Sequence, residues 1–161
     1  MRRVLVVDDI PAICGIVKMA LEADGSCRVM TAVTAFDAIA ALGIRRPDGA
    51  IIDVAMPAVD GLILARHALG LGVPVLMMTG EPTAQESFVA SGIPFMAKPF
   101  HIHDVVAQTQ LLLREATERH AQLTLQIARL TKNLTEMRGV LDRSRALHQR
   151  SQELRRRLKR S

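Results

Sequence analysis

The sequence of 161 residues contains no tryptophan, no tyrosine and only two cysteines. Cys14 and Cys27 are too few for a disulfide framework, and their separation does not match a metal-binding motif. No apolar run approaches the roughly 20 residues that a membrane-spanning helix needs, and Met1–Val7 is too short for a signal sequence. We therefore expect a soluble cytoplasmic protein without a membrane span, with both cysteines buried.

Proline, aromatic residues and glycine almost disappear in the last third of the chain. Residues 111–161 contain no proline, no aromatic residue and a single glycine, Gly139. Up to residue 110 there are 8 basic and 11 acidic residues, a net charge of −3, whereas residues 111–161 carry 13 basic and 5 acidic residues, a net charge of +8. This division predicts an acidic globular domain at 1–110 and a basic helical extension at 111–161.

Five short apolar runs in the first 110 residues have the composition of buried parallel strands. They are Arg3–Val7, Arg28–Ala32, Gly49–Ile52, Val73–Met78 and Pro94–Ala97. Segments with helical spacing lie between them, so strand and helix alternate. Right-handed crossovers would wind these units into a parallel sheet with helices on both faces, which is a doubly wound α/β fold.

Polar residues stand where four of these strands end. Asp8 and Asp9, Asp53, Thr79 and Lys98 would converge at one edge of a parallel sheet. Crowded carboxylates repel one another and favour a hard divalent cation with oxygen ligands. Each residue also has a structural interpretation, since aspartates cap helices and close strands, the threonine can stabilise a turn and the lysine can be a solvated cation. The joint pattern favours phosphoryl capture.

These residues belong to longer motifs that resemble the receiver domain of two-component response regulators. The resemblance covers about residues 2–110 and includes the acidic pair Asp8 and Asp9, the run Asp53–Gly61, the pair Thr79–Gly80 and the run Lys98–Phe100. It implies a flavodoxin-like fold in which a five-stranded parallel sheet has the strand order 2-1-3-4-5. It also implies a phosphoacceptor signalling protein rather than a conventional enzyme.

The resemblance assigns a role to each residue of the site. Asp53 would accept a phosphoryl group from a phosphohistidine on a sensor histidine kinase or a histidine phosphotransfer protein. Asp9 and Asp53 would ligate Mg²⁺ directly, Asp8 would act more through a water molecule, and the Ala55 backbone carbonyl would complete the protein ligands. Lys98 would supply a second positive charge to the transferred group.

The resemblance also implies a conformational switch. The Thr79 hydroxyl would donate a hydrogen bond to the new phosphoryl group, and Phe95 occupies the aromatic switch position, although an ordinary buried phenylalanine is the alternative. The Lys98–Pro99 peptide bond is cis in this family. Two segments are short for the family's third and fourth helices, namely Gly61–Val73 and Thr83–Gly92.

The extension has a heptad pattern that begins at Leu113 and continues from the last helix of the domain. Its predicted coiled-coil core consists of Leu123, Ile127, Leu130, Leu134, Met137 and Leu141. Near Val140 the phase slips, as in a stammer. A narrow apolar stripe needs a partner, and we expect a homodimer, parallel by preference, with an antiparallel pair or a heteromeric bundle as alternatives.

Five of the six residues from Arg155 to Arg160 are basic, the exception being Leu158, and their target is open. They can bind nucleic-acid phosphates, anionic lipid or an acidic protein, or they can simply be solvated. There is no helix-turn-helix pattern and no aromatic stacking surface. We therefore expect the phosphorylated domain to act through the last helix on dimer packing and a protein partner. The alternative is a nucleic-acid-binding regulator whose effector is the basic tail.

Overall fold

A computed structural model of the chain describes residues 1–23, 25–57, 59–80 and 92–158. Its strands are β1 (Arg2–Val7), β2 (Cys27–Ala32), β3 (Gly49–Asp53), β4 (Val75–Thr79) and β5 (Phe95–Ala97). Its helices, within the described ranges, are α1 (Pro11–Glu22), α2 (Ala35–Arg45), α3 (Gly61–Gly70) and α4 (Ile102–Leu158). The brief helix predicted within Thr83–Gly92 falls, apart from its last position, outside the described residues.

The five strands form one parallel sheet in the order β2-β1-β3-β4-β5, which confirms the predicted fold. Strand β1 pairs on one side with β2, where Val6 faces Thr31, and on the other with β3, where Val6 faces Ile51. The direction of winding reverses between β1 and β3. At such a point the loops after neighbouring strands turn away from each other and leave a crevice at the carboxyl edge.

Alternating strand residues point into two separate cores, one on each face of the sheet. Leu5 and Ile52 pack on one face beneath α2 and α3, together with Leu64 of α3. Val4 and Ile51 pack on the other face beneath α1 and α4. Because the strands are covered on both faces, they consist almost entirely of apolar residues.

Two of the helices begin with side-chain caps that follow from their sequence. The Thr34 hydroxyl accepts a hydrogen bond from the Asp37 backbone N–H at 3.1 Å and starts α2. The Asp60 carboxylate accepts one from the Leu62 N–H at 2.8 Å and starts α3. The segment that seemed short for a third helix therefore contains a helix of 10 residues.

The chain divides into two compact units, Met1–Thr117 (the first unit) and Glu118–Ser161 (the stalk). The end of the first unit lies beyond residue 110, because Leu112 and Leu113 are buried in its core. The Arg2 guanidinium donates a hydrogen bond to the Leu113 carbonyl at 3.1 Å. Leu113, which the heptad count assigned to the start of the coiled-coil seam, is thus a core residue of the first unit.

In the stalk, the predicted seam residues from Leu123 to Leu141 are more than half exposed in this single chain. None of the helices in the described part of the chain combines the length and the apolar character of a transmembrane segment.

Candidate functional site

The carboxyl edge of the sheet brings together all five polar residues singled out in the sequence. Asp53 and Thr79 are the last residues of β3 and β4, whereas Asp8 directly follows β1 and Lys98 directly follows β5. Asp9 is next to Asp8 in the same loop. Strand pairing fixes these positions, since the Lys98 backbone N–H donates to the Thr79 carbonyl at 2.7 Å.

The Lys98 ammonium lies between two buried carboxylates. Its Nζ is 2.9 Å from Asp8 Oδ2 and 3.0 Å from Asp53 Oδ1. The hydrogen bond is directed to Asp8, whereas the approach to Asp53 brings the charges together without hydrogen-bond geometry. Asp53 Oδ1 consequently has no hydrogen-bond donor among the described residues, although the residue is only 4% exposed. The crevice therefore presents a buried oxygen directed at a single cation.

Burial and charge act on the site in opposite directions. Burial raises the pKa of Asp53, and the neighbouring Asp8 carboxylate raises it further, while Lys98 partly offsets both effects. For Lys98, burial alone would lower the pKa, but the contacts with Asp8 and Asp53 outweigh it, and the pKa is raised. Asp53 therefore bears a desolvation cost, and its Oδ1 atom accepts no hydrogen bond from the described residues that would offset it.

The three carboxylates fit a hard divalent cation. Asp8, Asp9 and Asp53 each offer an oxygen atom, and these three atoms lie within 4.8 Å of one another. Mg²⁺ prefers such oxygen ligands and retains several water molecules beside them. Asp53 Oδ1 accepts no hydrogen bond from the described residues, and this supports the interpretation because the atom has a lone pair available. Ala55 lies in the exposed turn directly after β3.

Gly61 determines how closely α3 approaches the backbone of Asp53. A Cβ atom at Gly61 would lie 2.1 Å from the Asp53 carbonyl oxygen and 2.8 Å from the Val54 Cα atom. The Gly61 N–H also donates to the Val54 carbonyl at 3.1 Å. Only glycine fits this close approach. The sequence motif Asp53–Gly61 includes this glycine, but the sequence alone did not predict its close contact with the backbone of Asp53 and Val54.

Two further predicted residues lie on β4 and β5. Thr79 is 1% exposed, so its side chain is buried at this edge of the sheet. Phe95 is half-buried and packs against the core beneath α2 and α3. The strands pair so that Phe95 faces Met77 and Ala97 faces Thr79. The Lys98–Pro99 peptide bond is cis.

Cys14 is a buried neighbour of the site that the sequence did not connect with it. Its thiol donates to the Asp8 carbonyl with a sulfur–oxygen distance of 3.4 Å. Burial raises the pKa of this thiol, and the Asp8 carboxylate adds to the effect. Cys14 and Cys27 are both buried and free, as expected. Cys14 is therefore a neutral thiol that supports the loop carrying Asp8.

An apolar groove opens beside Lys98, and it too was missed in the sequence because its walls come from distant segments. It has a volume of about 260 Å³. Its walls are formed by α1 and by the loop after β5, and the lining residues are Ile13, Ile16, Val17, Lys98, Pro99 and Phe100. Ile16 is 59% exposed. An apolar surface thus borders the charged crevice.

Comparison with known proteins gives a consistent result. Residues 4–110 match the family model of the response regulator receiver domain. The probable transcriptional regulatory protein TcrX of Mycobacterium tuberculosis is 38% identical over 117 residues, which cover 69% of this chain and 49% of that protein. The transcriptional regulatory protein TrcR of the same organism is 35% identical over 136 residues, or 80% of this chain and 52% of the relative. The chain therefore spans about half the length of these curated relatives.

Solved structures share the fold of the first unit. The CheY-like response regulator receiver domain protein from Methanospirillum hungatei is 27% identical with a TM-score of 0.68, and the match covers 74% of this chain and 98% of that one. Vibrio cholerae chemotaxis protein CheY4 is 29% identical with a TM-score of 0.62, covering 70% of this chain and 98% of the other.

Proposed function

Because the chain belongs to the response regulator receiver family, we propose that Asp53 accepts a phosphoryl group from a phosphohistidine and that the stalk transmits the resulting change. The observation that carries this proposal is the environment of Asp53, whose buried oxygen Oδ1 faces the Lys98 ammonium at 3.0 Å and has no hydrogen-bond donor among the described residues. An oxygen with a free lone pair beside a fixed cation is poised to attack phosphorus.

In the transfer, the bond between phosphorus and the donor imidazole nitrogen breaks while a bond forms between phosphorus and an Asp53 carboxylate oxygen. Negative charge develops on the equatorial phosphoryl oxygens, and the Lys98 ammonium is close enough to stabilise it. Asp8 holds Lys98 in place through the 2.9 Å hydrogen bond. The product is an acyl phosphate on Asp53.

Asp8, Asp9 and Asp53, with the Ala55 carbonyl, are the residues that would hold Mg²⁺ in this site. When bound, Mg²⁺ offsets the charge of the carboxylates and of the transferred group. Burial of the crevice strengthens these charge interactions because little water screens them.

The groove beside Lys98 supports docking of the phosphodonor protein. A sensor histidine kinase or histidine phosphotransfer protein must bring its imidazole to Asp53, and the apolar groove next to Lys98 offers it a surface to bury. Exposed Ile16 on α1 extends this surface.

Two features support an output through the stalk. Thr79 is buried at the same sheet edge and can donate its hydroxyl hydrogen to a phosphoryl oxygen, and Phe95 on the next strand can follow its movement. The exposed seam of the stalk lies on the same continuous helix, α4, that packs in the first unit. We propose that this seam forms a homodimer, and that phosphorylation alters its packing or a protein partner's access to it.

Labelling with a small-molecule phosphodonor in the presence of Mg²⁺ tests the central step. The wild type should gain one phosphoryl group by intact-protein mass spectrometry, and Asp53→Asn should gain none. Asp48→Asn is the matched control, because Asp48 precedes β3 at the opposite end from Asp53 and is exposed. Equal labelling of wild type and Asp53→Asn would refute the assignment.

A nucleic-acid-binding output is the second candidate. It is favoured by exposed basic residues at the end of the stalk, namely Arg143, Arg145, Arg150 and Arg155, and by the relatives TcrX and TrcR, which are named as transcriptional regulatory proteins. Electrophoretic mobility shifts with generic DNA and RNA over a salt series test it. Binding that weakens steeply with salt supports phosphate contacts, whereas no shift at moderate salt rejects this candidate.

A further inference from the structure

The stalk carries two apolar frames that meet at its middle. The first frame contains the exposed seam residues Leu123, Ile127, Leu130, Leu134, Met137 and Leu141. The second begins with exposed Val140, Ser144, Leu147 and Ser151 and continues in the sequence at positions 154 and 158, both leucine. Each frame alternates steps of four and three residues, as paired helices require. Only the junction breaks the alternation.

The two frames are mirror images of each other along the helix. Reversing the order of the residues about the point between Val140 and Leu141 places every position of one frame on a position of the other. The matched positions are 123 with 158, 127 with 154, 130 with 151, 134 with 147, 137 with 144, and 141 with 140. A helix with this symmetry can pair with a reversed copy of itself so that every position of one frame meets a position of the other.

We infer that the stalk forms an antiparallel homodimer centred between Val140 and Leu141. This inference rests on the homodimer proposed above and adds its orientation and register. The overlap from residue 123 to residue 158 covers 36 residues, or about 54 Å of helix. The first frame of each chain would pack against the second frame of its partner. The phase slip at Val140 then lies on the two-fold axis.

The polar residues of the second frame favour this orientation. In a parallel dimer in register, Ser144 and Ser151 would each face the same serine of the partner and leave two poorly filled layers. In the antiparallel dimer, Ser144 faces Met137 and Ser151 faces Leu130. Large residues opposite small ones fill a helical interface evenly.

The distribution of charge favours it as well. Residues 142–161 contain 8 basic and 2 acidic residues, a net charge of +6, whereas residues 118–141 contain 4 and 2, a net charge of +2. A parallel dimer would place two +6 segments side by side. The antiparallel dimer places each of them beside a +2 segment, which reduces the repulsion between like charges.

The flanks of the first frame are compatible with a basic neighbour. The residues that border its seam are uncharged in the middle of the frame, namely Thr124, Gln126, Thr131 and Asn133. The Thr124 and Thr131 hydroxyls donate to the carbonyls of His120 and Ile127, each at 2.9 Å. No cation at these four positions would repel the arginines of the partner.

Single cysteines test the orientation by disulfide cross-linking in the full chain. Ile127→Cys and Leu154→Cys are prepared separately, oxidised alone and oxidised as a mixture. In the antiparallel dimer, residue 127 lies level with residue 154 of the partner and about 27 residues, or roughly 40 Å, from the partner's residue 127. A disulfide requires Cα atoms within about 7 Å of each other. Cross-linked dimer should therefore form in the mixture and not with either variant alone.

Cross-linking of each variant with itself would overturn the inference in favour of a parallel dimer. Absence of a cross-link in every sample would overturn it too, as would a monomeric mass by light scattering. The wild type, whose two cysteines are buried, controls for background oxidation, and circular dichroism checks that both variants are helical. Phosphoryl labelling of the same variants is measured in parallel, so failure of the dimer is distinguished from failure of the phosphoacceptor site.

Discussion

The first unit and the stalk use apolar residues in opposite ways. In the first unit, Leu113 is 4% exposed and helps to close the core beneath α1 and α4. In the stalk, Leu130 belongs to the same heptad seam and is 62% exposed. The same spacing on one helix therefore buries apolar side chains in one region and leaves them exposed in the other. We expect stability to be intrinsic to the first unit and to depend on a partner in the stalk.

The largest effect on stability is expected from replacing a glycine of the first unit. Gly61→Ala should destabilise the first unit by about 4 kcal/mol or more, at the upper end of single substitutions, because the new Cβ atom would lie 2.1 Å from a backbone oxygen. Gly70→Ala is the matched control on the same helix, where no atom lies within 4 Å of the added Cβ. Chemical denaturation measures both, and equal stability of the two variants would contradict the close approach of α3.

A second comparison concerns the two leucines. Leu113→Ala should lower the free energy of unfolding by about 3 kcal/mol, because it removes buried methyl groups and leaves a cavity. Leu130→Ala should leave unfolding of the first unit almost unchanged and weaken self-association instead. Thermal unfolding at low concentration and sedimentation over a concentration series separate these effects. If Leu113→Ala changed only association, its assignment to the core would be wrong.

The next prediction is a pH dependence of stability, which follows from the raised pKa of Asp53. Since this pKa is raised by burial, the folded state binds more protons than the unfolded state in the pH range directly above the ordinary value of 3.8, and stability falls as pH rises through that range. Asp53→Asn removes this dependence. Without Mg²⁺ at neutral pH it should be more stable than the wild type by about 1–2 kcal/mol, the cost of burying an oxygen that accepts no hydrogen bond.

Melting temperatures of both proteins between pH 3 and pH 8, with and without Mg²⁺, measure this effect. The difference should shrink as the pH falls and when Mg²⁺ is added, because protonation or a cation removes the penalty at Asp53. A wild type that is more stable than the variant at neutral pH without Mg²⁺ would contradict the prediction.

The smallest expected effect is a gain in stability, whereas the substitution at Gly61 causes a loss. Gly139→Ala in the stalk should stabilise the helix by about 1 kcal/mol, the difference in helix propensity between the two residues. The added Cβ meets only Arg143 Nη1, at an ordinary 3.7 Å. Circular dichroism of the full chain should show a higher melting temperature for the helical signal. A decrease would mean that position 139 makes a close contact in the dimer.

Much of the fold and the site could be predicted from the sequence because both depend on strands and their ends. Every predicted strand lies within two residues of its observed bounds, since a buried parallel strand is apolar throughout. Asp8, Asp53 and Lys98 could be brought together because parallel strands end at one edge. The role of each residue in phosphoryl transfer stays a prediction.

The remaining features depend on contacts between distant segments. The sequence could not distinguish Leu113 from the seam, because a helix facing a sheet and a helix facing a partner repeat their apolar residues with the same spacing. The groove beside Lys98 and the contact of Cys14 with Asp8 likewise require the packing of α1 on the sheet.

The packing of Leu113 against the sheet links two positions that are far apart in the chain. Gly49 opens β3 at the end opposite Asp53, and a Cβ atom there would lie 2.9 Å from Leu113 Cδ2. The two residues share one volume, so a larger side chain at position 49 requires Leu113 to shift or to be replaced by a smaller residue. We therefore expect an exchange of the helical extension between homologues to preserve this packing best when the two residues are transferred together.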